Sequence, residues 1–252
     1  MSNPLFTIIT VTYNAASVIA PTLKSVLAQT FTDYEYVVAD GASTDDTVAL
    51  VEAAHIANTH IVSEPDKGLY DAMNKSIARA KGSYLIFLNA GDAFASSNVL
   101  RRLAVAAESD ADILYGQTQL VNADREVVGM RHLTAPAELD VDSFRNGMVV
   151  CHQAFVAKRS IVENYNLNYR FSADYEWCIR CLQKSKANAY VGDTPIISFL
   201  TDGLTDKHHK ASLRERYQIM SDYFGSIDTF FMHIKFLPRY LREKVRKSMR
   251  KK

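Results

Sequence analysis

The sequence predicts an α/β protein whose mostly parallel sheet carries helices on both faces. Three observations predict it. Short apolar runs with β-branched members alternate with segments whose apolar residues recur at helical spacing. Tyr84–Leu88 reads as a continuous apolar run, the pattern of a strand buried on both faces. Three of the runs stop abruptly in small polar clusters, at Thr12–Asn14, Asp40–Asp45 and Asn89–Asp92.

In chain order, Leu5–Val11 is the first expected strand. A helix follows within Ser17–Gln29, with Val18, Ile19, Leu23, Val26 and Leu27 at helical intervals and Pro21 tolerable only near its start. Tyr34–Ala39 is the second strand, and Ser43–Asp46 supplies an N-cap for a helix over Thr47–Ala57. His60–Ser63 is a short third strand and Glu64–Gly68 a loop. Leu69–Ala80 is a helix that Lys81-Gly82 terminates, before Tyr84–Leu88 forms the fourth strand. Strands alternating with helices imply right-handed crossovers and parallel pairing.

The second half is less regular. Asn98–Glu108 reads as an amphipathic helix and Ile113–Gly116 as a strand; Thr118–Asn122 and Glu126–Arg131 pair antiparallel around Ala123–Arg125. Met148–Val156 carries Cys151-His152-Gln153 in an apolar setting. Asn168–Trp177 enters a helix that runs through Leu182, and Ala189–Val191 and Ile196–Leu200 are short strands. The organisation expected is a body over residues 1–205, divided near 92/93, and a helical tail over 206–252.

The chain has 252 residues, 48% hydrophobic and 23% charged, enough for one substantial core with an appendage. Its net charge of +1 hides a division. From Asp206 to Lys252 there are thirteen Lys and Arg against five Asp and Glu, leaving an acidic body with sixteen against twenty-three. Thr229–Leu237 is strongly apolar and Arg239–Lys252 mostly cationic, a pairing suited to a helix lying on anionic lipid. The other reading is a helix packed on the body with a solvated basic end. No nucleic-acid partner is expected. Three cysteines are too few for a disulfide framework, and Cys178 and Cys181 fall inside one helix with no second pair, against zinc or redox use. No leader-like segment opens the sequence and no apolar run is long enough to span a bilayer. The expected location is the cytoplasm, with peripheral attachment to the inner face of the membrane.

Parallel strands end at one edge, so the three polar clusters converge on a single crevice. A carboxylate delivered there, such as Asp92, can hold Mg²⁺ or Mn²⁺ and through it a diphosphate; its other role would be to cap the next helix. His152 and Gln153 could line the opposite side of the crevice, and His152 could equally be a core histidine.

ITVTYN, VVADGASTDDT, SEPDKGLYDAMNKSIARAKGSYLIFLNAGD and SADYEW resemble, in order and spacing, the family 2 glycosyltransferases. The resemblance covers Leu5–Leu182 and is greatest to the bacterial polysaccharide and lipopolysaccharide branch, including colanic-acid-type enzymes. It implies a GT-A type fold, a nucleotide-sugar donor, inversion at the anomeric carbon, a divalent cation and a saccharide acceptor, lipid-linked. Residues 1–92 would then be the nucleotide-binding half and 93–205 the acceptor half. By position it implies that Thr12, Tyr13 and Asn14 meet the nucleotide, that Asp40 meets base or ribose, and that Asn89 and Asp92 lie on the donor side. Asp92 would be the metal ligand and Asp174 the catalytic base. Glu176 is the reserve candidate and, with His152 and Gln153, an acceptor-side residue. There are three departures from the family pattern: Gly41 replaces an acid of the nucleotide motif, Asn89 and Gly91 replace acids of the metal motif, and Met73 replaces an arginine. Two other classes are open to such a sequence. A nucleotidyltransferase would carry a Gly-rich basic loop after the first strand, and Thr12–Val18 has no Gly, Lys or Arg. A nucleotide-sugar-binding scaffold without transferase activity is the non-enzymatic alternative.

Overall fold

Strand β1 (Phe6–Thr12) is buried along its whole length, and this explains an otherwise odd composition. Its three threonines each spend the hydroxyl on a neighbour: Thr7 on Glu35 (2.6 Å), Thr10 on the Leu88 carbonyl (2.7 Å) and Thr12 on Asp40 (2.9 Å). A buried hydroxyl is tolerated only when paired. The computed structural model describes residues 3–201, 209–232 and 234.

β2 (Tyr34–Asp40) and β4 (Tyr84–Phe87) flank β1 in parallel, with Phe6 level with both Tyr34 and Tyr84. β3 (Thr59–Ser63) closes that edge as a half-exposed strand parallel to β2. The connections are helices α1 (Ile19–Leu27), α2 (Thr47–Ala53) and α3 (Leu69–Arg79), with Pro21 in the first turn of α1 where its missing N–H costs nothing. Helix α2 ends four residues before the expected Ala57. His55 and Asn58 adopt positive φ (47° and 55°), which turns the chain into β3.

The remaining elements are β5 (Ala93–Phe94), α4 (Val99–Ala107), β6 (Ile113–Tyr115), β7 (Thr118–Val121), β8 (Val127–Met130) and β9 (Phe155–Lys158). They are followed by α5 (Ala173–Lys184), β10 (Asn188–Tyr190), β11 (Ile197–Leu200) and α6 (His209–Phe224). The main sheet has seven strands in the order β10-β6-β9-β4-β1-β2-β3. β9 is inserted antiparallel between β4 and β6, an arrangement the apolar Met148–Val156 run did not disclose. A second sheet of four strands, β5-β11-β7-β8, contains the expected β7–β8 hairpin but joins it to β11 and the unforeseen β5.

The tail does not stand apart from the body where it is described. Tyr223 of α6 donates to Glu176 (2.7 Å), and the Glu215 carboxylate accepts the backbone N–H groups of Arg170 and Phe171 (2.9 and 2.8 Å). Arg145 lies over the Phe224 ring at 4.8 Å. α6 is therefore packed on the body. The boundary at 205/206 and the basic stretch 239–252 lie outside the described residues. No described helix is long and apolar enough to cross a membrane.

Gly82 lies just past the end of α3, with φ outside the left-handed region. Its need is steric: a Cβ there would lie 2.4 Å from the Thr7 nitrogen and 2.5 Å from the Phe6 carbonyl carbon. Its N–H donates to Thr7 Oγ1 (2.8 Å), seating the α3–β4 link directly on β1. Gly82→Ala must push backbone away from backbone, and is expected to destabilise by about 1–3 kcal/mol or more. A chemical denaturation midpoint within error of wild type would contradict this packing.

Candidate active site

Because β1, β2 and β4 run parallel, the polar clusters after them meet at one edge of the sheet. The first two are stapled together. Asn14, at φ 48°, donates its N–H to Ser43 Oγ (2.8 Å) and accepts the Thr44 N–H on Oδ1 (2.9 Å). Ala15 N–H donates to Thr47 and Ala16 N–H to Asp45. Asp40 is buried beneath this junction and accepts from Thr12, Ser43 and Ser63. Burial pushes its carboxyl up, but the bonds from Ser43, Ser63 and Thr12 outweigh it and leave the pKa below the ordinary value. Asp40 thus braces the loop from within. Tyr13 projects from the same loop and is 67% exposed.

The third cluster is held more tightly still. Thr22 Oγ1 accepts from Gly91 N–H (2.9 Å) and donates to the Asp92 carbonyl (2.6 Å), and Arg125 donates to the Gly91 carbonyl (2.7 Å). Gly91 takes φ 97°, and a Cβ there would sit 3.1 Å from Leu200. That conformation and that neighbour account for the absence of an acid at 91.

Asp92 is only 5% exposed. Its Oδ1 accepts the Leu200 N–H (2.9 Å) and its Oδ2 the Gln153 side-chain amide (2.7 Å). Burial raises its pKa to about 7, with the Leu200 and Gln153 bonds and the Arg125 charge opposing the rise. Gln153, expected on the acceptor side, is spent on this contact and on the Cys151 thiol. A divalent cation suits the donor set. Asn89 Oδ1 is buried with no hydrogen-bond partner among the described residues, and each Asp92 oxygen accepts one bond and keeps a second lone pair. Two hard oxygens, completed by phosphate and water, match how Mg²⁺ is usually held. No group of three or more His, Cys, Asp or Glu able to hold a metal occurs among the described residues.

Asp174 lies in the first turn of α5, past the N-cap position at Ser172. Tyr70, at the start of α3, donates to its Oδ1 (3.1 Å), as does the Tyr175 N–H (2.9 Å). Oδ2 accepts no hydrogen bond among the described residues. Glu176 is turned away from this arrangement: it is buried, pairs with Arg180 (2.8 Å) and accepts from Tyr223. His152 is a core residue, its Nε2 bonded to the Tyr165 hydroxyl (2.7 Å) and its ring among Phe87, Tyr165 and Trp177. Burial lowers its pKa to about 4, so it is neutral at physiological pH. Met73 is buried in the core as well. The sequence alone did not point to Thr22, Tyr70 or Arg125; each acts from an element remote from the cluster it serves.

Residues 7–165 match the model of glycosyl transferase family 2. A PGL/p-HBAD biosynthesis glycosyltransferase of Mycobacterium bovis is 33% identical over 189 residues, covering 72% of this chain and 71% of that protein. The UDP-Glc:alpha-D-GlcNAc-diphosphoundecaprenol beta-1,3-glucosyltransferase WfgD of Escherichia coli is 23% identical over 190 residues, 75% and 74% of the two chains. Among solved structures, S. aureus TarS 1-349 in complex with UDP-GlcNAc superposes with a TM-score of 0.71 at 16% identity, over 96% of this chain and 73% of that one. That likeness carries the fold, which is of the GT-A type.

The raised pKa of Asp92 has a definite sign in stability. A carboxyl that holds its proton more tightly when folded contributes stability below its unfolded value, and that contribution is lost as pH rises through about 7. In chelator, the thermal midpoint of wild type relative to Asp92→Asn should therefore fall between about pH 5 and about pH 8. Added Mn²⁺ should raise the wild-type midpoint more at the alkaline end, where the carboxylate is ionised. A difference between the two proteins that does not move with pH would rule out titration of Asp92 in this range.

Proposed function

The chain belongs to glycosyl transferase family 2, and from that membership we propose an inverting transferase that moves a sugar from a nucleoside-diphosphate donor to a lipid-linked saccharide acceptor. The observation that carries the mechanism is the state of Asp174. One oxygen is oriented by Tyr70 and by its own helix, and the other accepts no hydrogen bond among the described residues. A general base needs this combination of fixed direction and a free lone pair.

In the proposed reaction the acceptor hydroxyl attacks the anomeric carbon, and its proton passes to Asp174 Oδ2. The bond from that carbon to the diphosphate oxygen breaks as the new glycosidic bond forms. A single displacement inverts the centre. Thr12, Asn14 and Asp40 hold the loops that receive the nucleoside, and Tyr13 offers an exposed ring for the base to stack on. Asn89 and Asp92 would hold the divalent cation. When bound, that ion supplies positive charge to the departing diphosphate. Support for a cell-surface glycan as product comes from relatives named for PGL/p-HBAD biosynthesis and for a diphosphoundecaprenol-linked acceptor.

Attachment to the inner face of the membrane is part of this reading. Beyond α6 the chain is helical over 226–232, and Ile227, Phe230, Phe231 and Ile234 are exposed. The cationic residues 239–252 follow in sequence. Apolar side chains beside a basic run suit insertion at an anionic interface.

Asp174→Asn keeps the acceptor for Tyr70 and for the Tyr175 N–H but removes the proton affinity. Transfer to a verified acceptor is expected to drop by at least about a hundredfold with donor affinity near wild type. Near-full transfer would move the base elsewhere. For the tail, serine at Phe230, Phe231 and Ile234 together is expected to release the protein from phosphatidylglycerol-containing vesicles in a flotation assay. Donor binding should not change, and continued flotation of the variant would defeat the membrane reading.

A further inference from the structure

Gly41 occupies the place where the resemblance puts the second acid of the nucleotide motif, and its surroundings explain the loss. Its φ is outside the left-handed region, so the backbone there admits any L residue. The obstacle is another side chain. A Cβ on Gly41 would lie 2.5 Å from Asp66 Oδ2 and 3.4 Å from the ring of Tyr13. Asp66 reaches this space from the loop between β3 and α3. Its Oδ1 accepts the Gly68 N–H (2.7 Å), which fixes the direction of the carboxyl. The loop itself is anchored by Glu64 N–H on the Asp40 carbonyl (2.9 Å) and by Lys75 on the Pro65 carbonyl (2.8 Å). Oδ2 accepts no hydrogen bond among the described residues. A held carboxylate thus presents one oxygen beside the exposed ring of Tyr13.

The geometry points to Asp66 as the residue that recognises the donor's base, its Oδ2 accepting a ring N–H in the space beside Gly41 and Tyr13. This rests on the reading of the crevice as a nucleotide-sugar site. A side chain at 41 would displace the Asp66 carboxyl from this direction, and two carboxylates there would also repel one another. An ionised carboxylate only accepts. Uracil and thymine offer it an imide N–H, and guanine an N–H with an amino group. Cytosine and adenine set a ring-nitrogen lone pair against it and leave only an exocyclic amino group to donate. A carboxylate that reads a ring N–H therefore favours uracil, thymine or guanine.

Calorimetric titration of the full chain with UDP, dTDP, GDP, CDP and ADP, in Mn²⁺, tests this. At least one of the first three is expected to bind at least about tenfold tighter than CDP and ADP, as a charge-assisted bond requires. Asp66→Asn retains an oxygen for the Gly68 N–H but turns an amide N–H toward the base. It should weaken the preferred nucleotide at least about tenfold and narrow the gap to CDP. Gly41→Asp with Asp66→Gly returns the carboxylate to the same space and should restore the preference that Asp66→Asn loses. Unchanged base preference in Asp66→Asn, or equal weakening of all five nucleotides, overturns the assignment and leaves the nucleotide site standing. A folded double variant that lacks the preference overturns the placement of the reading carboxylate in the space beside Gly41 and Tyr13. Wild type that binds none of the five overturns the nucleotide reading itself.

Discussion

The Asp92 carboxylate is the constraint on which the rest of the site depends. It belongs to the turn that leaves β4, yet its partners are the backbone of β11 in the second sheet and Gln153 just before β9. One side chain therefore sets the position of the second sheet against the first. Burying a carboxylate is unfavourable, and its pKa of about 7 measures that. Two hydrogen bonds and the nearby Arg125 offset the cost in part. Thr22 and Arg125 grip the backbone of this turn, and Asn89 Oδ1 within it is buried with no hydrogen-bond partner among the described residues. Preorganisation of this kind keeps groups from having to rearrange when charge develops.

The edge where β1, β2 and β3 end is braced for a related reason. The threonines of β1 cannot be left unpaired inside a sheet, and the last of them, Thr12, finds Asp40. Asp40 in turn gathers Ser43 and Ser63, so the ends of β1, β2 and β3 are joined by one buried carboxylate. Asn14 and Ser43 then close the loops above it. Tyr13 projects from this braced loop into solvent. The contrast divides the cluster by role: the buried polar groups build the loop, and the exposed ring is free for a ligand.

The first turn of α5 carries Asp174, whose Oδ1 accepts from Tyr70 at the start of α3. Behind it, Phe87, His152, Tyr165 and Trp177 form an aromatic cluster that locks the start of α5 onto the sheet. Two residues on from Asp174, Glu176 faces the other way and receives α6 through Tyr223. The helix that carries Asp174 is thus also the docking point for α6. The helical rotation between the two acids turns one away from the other.

The sequence by itself determined the β1-to-β4 frame, because a strand buried on both faces and a helix with one buried side each leave a local periodic mark. It also located the three strand-end clusters and, through SADYEW, the acid at the head of α5. Tertiary structure alone decided which of those residues are buried and against what. Asp92 meets Gln153 and Leu200 from 61 and 108 positions away, and no local pattern records such a meeting. The same holds for the antiparallel entry of β9 between β4 and β6, for His152 turned into the core, and for Glu176 claimed by α6. Gly41 is the sharpest case. In sequence it is a missing acid, while in space the carboxylate of Asp66 occupies the volume its side chain would need. Periodicity reports how much of a residue is buried; only the packed chain decides against what.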